Sequence, residues 1–224
     1  MQFGLRRLVA LLTVVAICLA IRGYRERQYF SRASAIERLE QRAGMSIGPI
    51  SNSAGIRCTN FDLGSVPWDE SVGRDIQLTQ SLRRVSVYRS SFGDEDVGFL
   101  LSNSGIEYLN LSRTKITSKG VSLLSKLAAL QSLDLSATCL EADAAASLSH
   151  LKNLEVLYLL RTQIDDRAVK FLCTMRRLKV LDVSFTGITS EGAKKIACEL
   201  PNCRVYRVEN GSRLFYTADQ WTSP

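Results

Sequence analysis

The sequence predicts an α/β solenoid, with a curved parallel β-sheet on its concave side and short helices on its convex side, preceded by an N-terminal hydrophobic anchor helix. Three observations predict it. One register returns five times at intervals of 24 residues from Leu82 onward. Within each interval a period-two apolar alternation gives way to apolar residues three and four apart, the mark of a strand followed by a helix. Ahead of the repeats, residues 8–21 run without a charge between Arg7 and Arg22.

Composition bounds the function classes. The 224 residues are 46% apolar and 23% charged with 4 Pro, which excludes a disordered, collagen-like or short disulfide-scaffold chain. The net charge of +7 is unevenly spread: residues 1–42 hold 8 Arg against 3 Glu, and residues 43–224 hold 21 Lys and Arg against 19 Asp and Glu. The repeat region is therefore nearly neutral, and the basic character belongs to the N-terminal segment.

Residues 1–23 read as a targeting or anchoring element. Fourteen uncharged residues in a helix span about 21 Å, short of the roughly 30 Å hydrocarbon core unless the flanking arginines snorkel. An uncleaved signal anchor is favoured, because Cys18 and Ala20 make a poor cleavage pattern ahead of Ile21 and a basic cluster; a cleaved signal peptide is the alternative. The expectation is a single-pass, membrane-anchored protein. Arginines on both flanks leave the side of the membrane open. Residues 24–44 hold no proline and no glycine before Gly44, and a partial apolar stripe at helical spacing predicts a juxtamembrane helix or stalk ending there.

The repeats occupy residues 82–208. Leu82, Ile106, Leu130, Leu154 and Leu178 begin the units; Val85, Leu109, Leu133, Leu157 and Leu181 follow three residues on, and Val87, Leu111, Leu135, Leu159 and Val183 two further on. A hydroxyl column comes next (Ser90, Thr114, Thr138, Thr162, Thr186), then an apolar one from Phe92 to Ile188 and another from Leu100 to Ile196. Stacked strands of this kind pair into a parallel sheet, since no unit can bury its apolar face alone. The hydroxyls are placed to bond backbone groups of the turn leaving each strand, including those of the next coil. The second halves begin with Ser or Asp, so the convex helices are expected to be N-capped by Ser118 and Ser190.

The L-x-x-L-x-L pattern identifies the chain as similar to leucine-rich repeat proteins, and the segments RTQIDDRAV and FTGITSEGA resemble the T-x-I-T-D-x-G units of bacterial, single-anchor members. The usual Asp-x-Gly turn is lost at Arg167 and Ala168 and at residues 141–144. The resemblance implies protein recognition through the concave strand face.

A solenoid needs both ends covered. Residues 45–81 are expected to form an N-terminal cap or degenerate repeat, with Cys58, Phe61 and Leu63 in the register one unit before Leu82. Residues 209–224 supply apolar mass for a C-terminal cap, after a partial sixth strand through Cys203, Tyr206 and Val208.

Catalysis has little to stand on. His150 is the only histidine, the carboxylate pairs Asp69 with Glu70, Asp94 with Asp96 and Asp165 with Asp166 fall in turns, and the six Cys form no C-x-x-C pair. We therefore expect no enzyme activity, metal, cofactor or small-molecule substrate; a Cys198 to Cys203 disulfide is open if the domain lies in an oxidising compartment. The outward strand positions supply the candidate partner-binding residues: Arg84, Tyr88, Arg89, Tyr108, Asn110, Arg113, Asp134, Tyr158, Arg161, Asp182 and Phe185. Arg and Tyr are enriched at interface hot spots. Mixed charges on this face argue against nucleic acid and for a protein partner; a scaffolding element of an envelope or membrane complex is the alternative role.

Overall fold

The computed structural model describes residues 2–43, 49–52, 55–58, 60–62, 67–79, 82–209 and 211–218. Helix α1 (Gln2–Ala43) is followed by β1 (Pro49–Asn52) and β2 (Gly55–Cys58), which pair antiparallel, and by β3 (Asn60–Asp62) and α2 (Glu70–Thr79). The coils then alternate: β4 (Arg84–Ser86), α3 (Val97–Leu101), β5 (Tyr108–Asn110), α4 (Ser118–Leu124), β6 (Ser132–Asp134), α5 (Ala144–Leu148), β7 (Val156–Tyr158), α6 (Val169–Leu172), β8 (Val180–Asp182) and α7 (Ser190–Glu199). Strands β9 (Arg204–Glu209) and β10 (Ser212–Tyr216) close the chain's sheet.

Strands β3 to β9 run parallel in sequence order, each in register with the residue 24 positions on. The middle residue of β3 to β8 and the second residue of β9 point inward, so Phe61, Val85, Leu109, Leu133, Leu157, Leu181 and Val205 form one buried column. Burying such a side chain contributes about 1.5–3 kcal/mol, and the column forms only when neighbouring coils stack. The last strand is offset from its expected pattern. Cys203 is buried, but Val205 takes the place beside Leu181 and Tyr206 falls beside Asp182 on the concave side.

The hydroxyl column works inside each coil. Thr114, Thr138 and Thr162 are buried and donate to the carbonyls of Leu111, Leu135 and Leu159 at 2.7, 2.5 and 2.8 Å. Ser90 and Thr186 donate likewise to Val87 and Val183. No bond from this column to the next coil occurs among the described residues.

The convex helices begin one residue earlier than expected. Thr117 and Thr189, and not Ser118 and Ser190, are the N-caps; their extended backbones let the side chains accept from the N–H of Lys119 and Gly192. Each threonine is itself held by an aspartate of the preceding coil, which fixes the cap at that residue.

At the N-terminal end α2 joins the row of convex helices. Buried Asn103 ties it to the first coil, donating to the Ile76 carbonyl at 2.9 Å and accepting from the Leu82 N–H at 3.1 Å. The C-terminal part of α1 covers α2: Ala35 and Leu39 are buried, Arg38 grips the buried Asp75 carboxylate, and Arg42 reaches Asp69 at 2.8 Å. Helix α1 runs unbroken across the expected junction of anchor and stalk. The membrane span expected in residues 1–23 is not supported, because among the described residues no helix is long and apolar enough to cross a membrane.

Candidate functional site

Outward positions of β4 to β9 form columns across the sheet. The first carries Arg84, Tyr108, Ser132, Val156, Val180 and Arg204. The Arg84 guanidinium lies 5.5 Å from the Tyr108 ring centre. Partial burial, with the Asp134 carboxylate adding to it, pushes the Tyr108 hydroxyl above its ordinary pKa. With Phe61, Asp62, Val85 and Ser86, these two residues line a cavity of about 190 Å³ at the N-terminal end of the sheet.

The second column carries Ser86, Asn110, Asp134, Tyr158, Asp182 and Tyr206. Asn110, Asp134 and Asp182 each turn an oxygen onto the backbone N–H two residues on, at 2.9, 2.9 and 3.0 Å. These short polar side chains thus brace the bend that ends each strand. Tyr158 has no such duty and stands half-buried among them. Asp182 is fully buried, and its second oxygen accepts from Arg213 at 2.5 Å. Of the candidate residues, it is the one placed beneath the C-terminal hairpin rather than on open surface.

Tyr88 is half-buried in the third column, in line with Ser112, Ser136, Leu160 and Ser184. The next position is the rim. Arg89, Arg113, Ala137 and Arg161 all have φ 55°, and Phe185 has φ 57°. The N–H of Arg89, Arg113, Ala137 and Arg161 donates to the carbonyl of Ser112, Ser136, Leu160 and Ser184 respectively, so the sheet ladder continues over the bend. Left-handed backbone costs a residue with a Cβ about 1–2 kcal/mol, and glycine or asparagine would be easier there. The three arginines are exposed, as is Phe185, and the Arg161 guanidinium lies 5.2 Å from the Phe185 ring centre. On the opposite rim, Arg83 pairs with Glu107 and Lys179 with Glu155.

Sequence reasoning missed the contribution of β10. This strand folds back antiparallel on β9, setting Phe215 opposite Tyr206 and Arg213 opposite Val208. The Tyr206 and Phe215 rings lie 6.1 Å apart, and Arg213 sits 4.6 Å from the Tyr206 ring centre. The available signal was the Asn-Gly dipeptide at 210–211, a hairpin turn preference; Gly211 has φ 79°.

Chemistry-bearing groups are dispersed. His150 is exposed in a turn, and among the described residues no cluster of three His, Cys, Asp or Glu is placed to hold a metal ion. Cys198 is exposed and Cys203 buried, and both are free thiols in this structure. Burial pushes the Cys203 thiol up to about 12.

Comparison with known proteins agrees with the repeat fold. A family model described as leucine rich repeat matches residues 104–164, and a second of the same description matches residues 175–197. The fold is similar to the crystal structure of an internalin C2 from Listeria monocytogenes, with 17% identity and a TM-score of 0.55 over 80% of this chain and 89% of that one. A second Listeria monocytogenes internalin aligns at 18% identity and a TM-score of 0.49, over 70% of this chain and 48% of that one. A leucine-rich repeat protein of Leptospira interrogans aligns at 20% identity and a TM-score of 0.41, over 58% and 38%. No curated protein sequence matches the chain.

Proposed function

The chain is a leucine-rich repeat protein, and from that premise we propose that it is a non-catalytic module that binds a protein partner through its concave strand face. One observation carries this reading: the outward columns bring Tyr108, Tyr158, Arg84 and the rim arginines onto one continuous surface. Rigid aromatic and arginine side chains on a preformed sheet supply contact area at low ordering cost. Filling that surface tests it. Ser132→Trp, in the middle of the face, should abolish capture of the partner by the immobilised full chain, whereas Ser122→Trp on the convex α4 should not. Equal capture by both variants would overturn the assignment.

A second reading concerns α1. Ile17, Leu19, Ile21 and Tyr24 are exposed on it next to Arg22 and Arg27, which favours attachment of this segment to a membrane. Partition of the full chain onto anionic vesicles, lost on deleting residues 1–23, is the expected result; retained partition would remove the segment from that role.

A further inference from the structure

The two rims of the strand face carry their charge differently. On one, the cations Arg83 and Lys179 are cancelled in place by Glu107 and Glu155 of neighbouring coils. On the other, Arg89, Arg113 and Arg161 are exposed, and among the described residues none has a carboxylate partner; Arg161 instead covers Phe185. Lys115, exposed two residues beyond Arg113, adds to the same edge. Of the carboxylates in the turns that follow, Asp94 accepts from Thr117 and Gly120, Asp96 from the Gly93 N–H, and Asp165 pairs with Arg167, while Glu95 and Glu141 are exposed and make no ion pair with the rim arginines among the described residues.

The backbone gives a second, independent reason to look here. The left-handed positions on the rim need only an N–H to continue the ladder, and glycine would supply it with less strain. Arginine is not explained by the turn. What it adds is a guanidinium on each of two adjacent coils, about 5 Å apart at the backbone, and a third two coils further on. That spacing suits successive carboxylates of one chain segment crossing the coils, each taken by the planar donor fork of an arginine. Exposed Phe185 closes the row with an apolar contact.

Resting on the strand-face reading above, we propose that the rim of Arg89, Arg113 and Arg161 docks an acidic segment of the protein partner, with an apolar side chain set against Phe185. A protein segment is favoured over a uniform polyanion because Asp134 lies in the middle of the same face and the region beyond residue 42 is nearly neutral.

The test uses the full chain and a short fluorescein-labelled peptide of Glu pairs separated by Phe, beside its Gln counterpart, read by fluorescence anisotropy. The Glu peptide should bind, weaken about 10-fold between roughly 50 and 300 mM salt, and weaken about 10-fold in R89S/R113S. The convex control K119S/K126S should stay within about 2-fold, and both variants should keep the parent circular dichroism spectrum. Absent binding, equal binding of the Gln peptide, or full binding by R89S/R113S would each overturn the inference. So would tighter, Arg89- and Arg113-dependent binding of oligothymidine or phosphatidylserine vesicles, which would make the rim a nucleic-acid or membrane surface. Ser132→Trp separates the two proposals: rim dependence without any effect of Ser132→Trp leaves the rim standing and removes the strand-face reading, and the reverse pattern does the opposite.

Discussion

The carboxylate of Asp166 crosses from one coil to the next and accepts from both the N–H of Thr189, at 2.9 Å, and its hydroxyl, at 2.8 Å. Asp94 does the same for Thr117 at 2.8 and 2.5 Å. In both cases the residue three after the threonine is glycine, and a Cβ at Gly120 or Gly192 would collide with the aspartate oxygen. Where the preceding coil offers Ser118 or Ala142 instead of aspartate, the equivalent residues are Ala144 and Ala168. The glycine therefore makes room for its neighbour's carboxylate, and the T-S-x-G turn belongs to two coils rather than one.

A double-mutant cycle in urea checks this. Gly192→Ala alone should cost about 1–3 kcal/mol through overpacking. In an Asp166→Ala background the same change should cost less than about 0.5 kcal/mol, since Ala already fits the equivalent positions. Equal costs in both backgrounds would show that the carboxylate is not what the glycine accommodates.

The most buried ion pair between α1 and α2 joins Arg38 to Asp75. Asp75 is almost wholly buried, and Arg38 binds both its oxygens at 3.0 and 3.1 Å. Arg38→Met leaves a buried carboxylate without its cation and should destabilise the cap by about 1–3 kcal/mol. Amide exchange in α1 near Ala35 and Leu39 should rise while that of β6 and β7 stays constant. The double variant R38M/D75L should restore much of the protection; failure to do so would mean that the helix is held by its apolar side alone.

Much of this architecture was legible beforehand. The 24-residue register gave strand order and the inward column because the only way to bury Leu109, Leu133 and Leu157 together is to stack them. The cap residues were misread by one position, since Ser118 and Thr117 are equally good caps locally and the choice is made by Asp94, 23 residues earlier. Asp182 was read as an open-face residue for a similar reason: the arginine that holds its carboxylate, Arg213, comes 31 residues later. The left-handed column at Arg89, Arg113 and Arg161 carries no glycine or asparagine, so its conformation left no trace in the sequence.

Cysteine reactivity and alkaline stability follow from burial. Iodoacetamide at about pH 8 should modify Cys139 and Cys198, which are exposed, and spare Cys203. Its thiol has an ordinary pKa of 9.0 and is raised to about 12 in the folded chain. The folded state thus holds a proton that the unfolded state releases, so this contribution is complete below about pH 9 and is lost between about 9 and 12. Urea midpoints should fall through that window, and Cys203→Ala should flatten the fall. An unchanged slope would assign alkaline destabilisation to other groups.

The most direct measurement is a photo-crosslinking map of the full chain in its own cells, with a photoreactive residue at Tyr158 in the strand face or at Lys170 on the convex helix α6. The account predicts a discrete protein adduct from Tyr158 that is absent from Lys170 and diminished by R89S/R113S. An adduct from Lys170 alone, or the same adducts from both positions, would contradict recognition through the concave face.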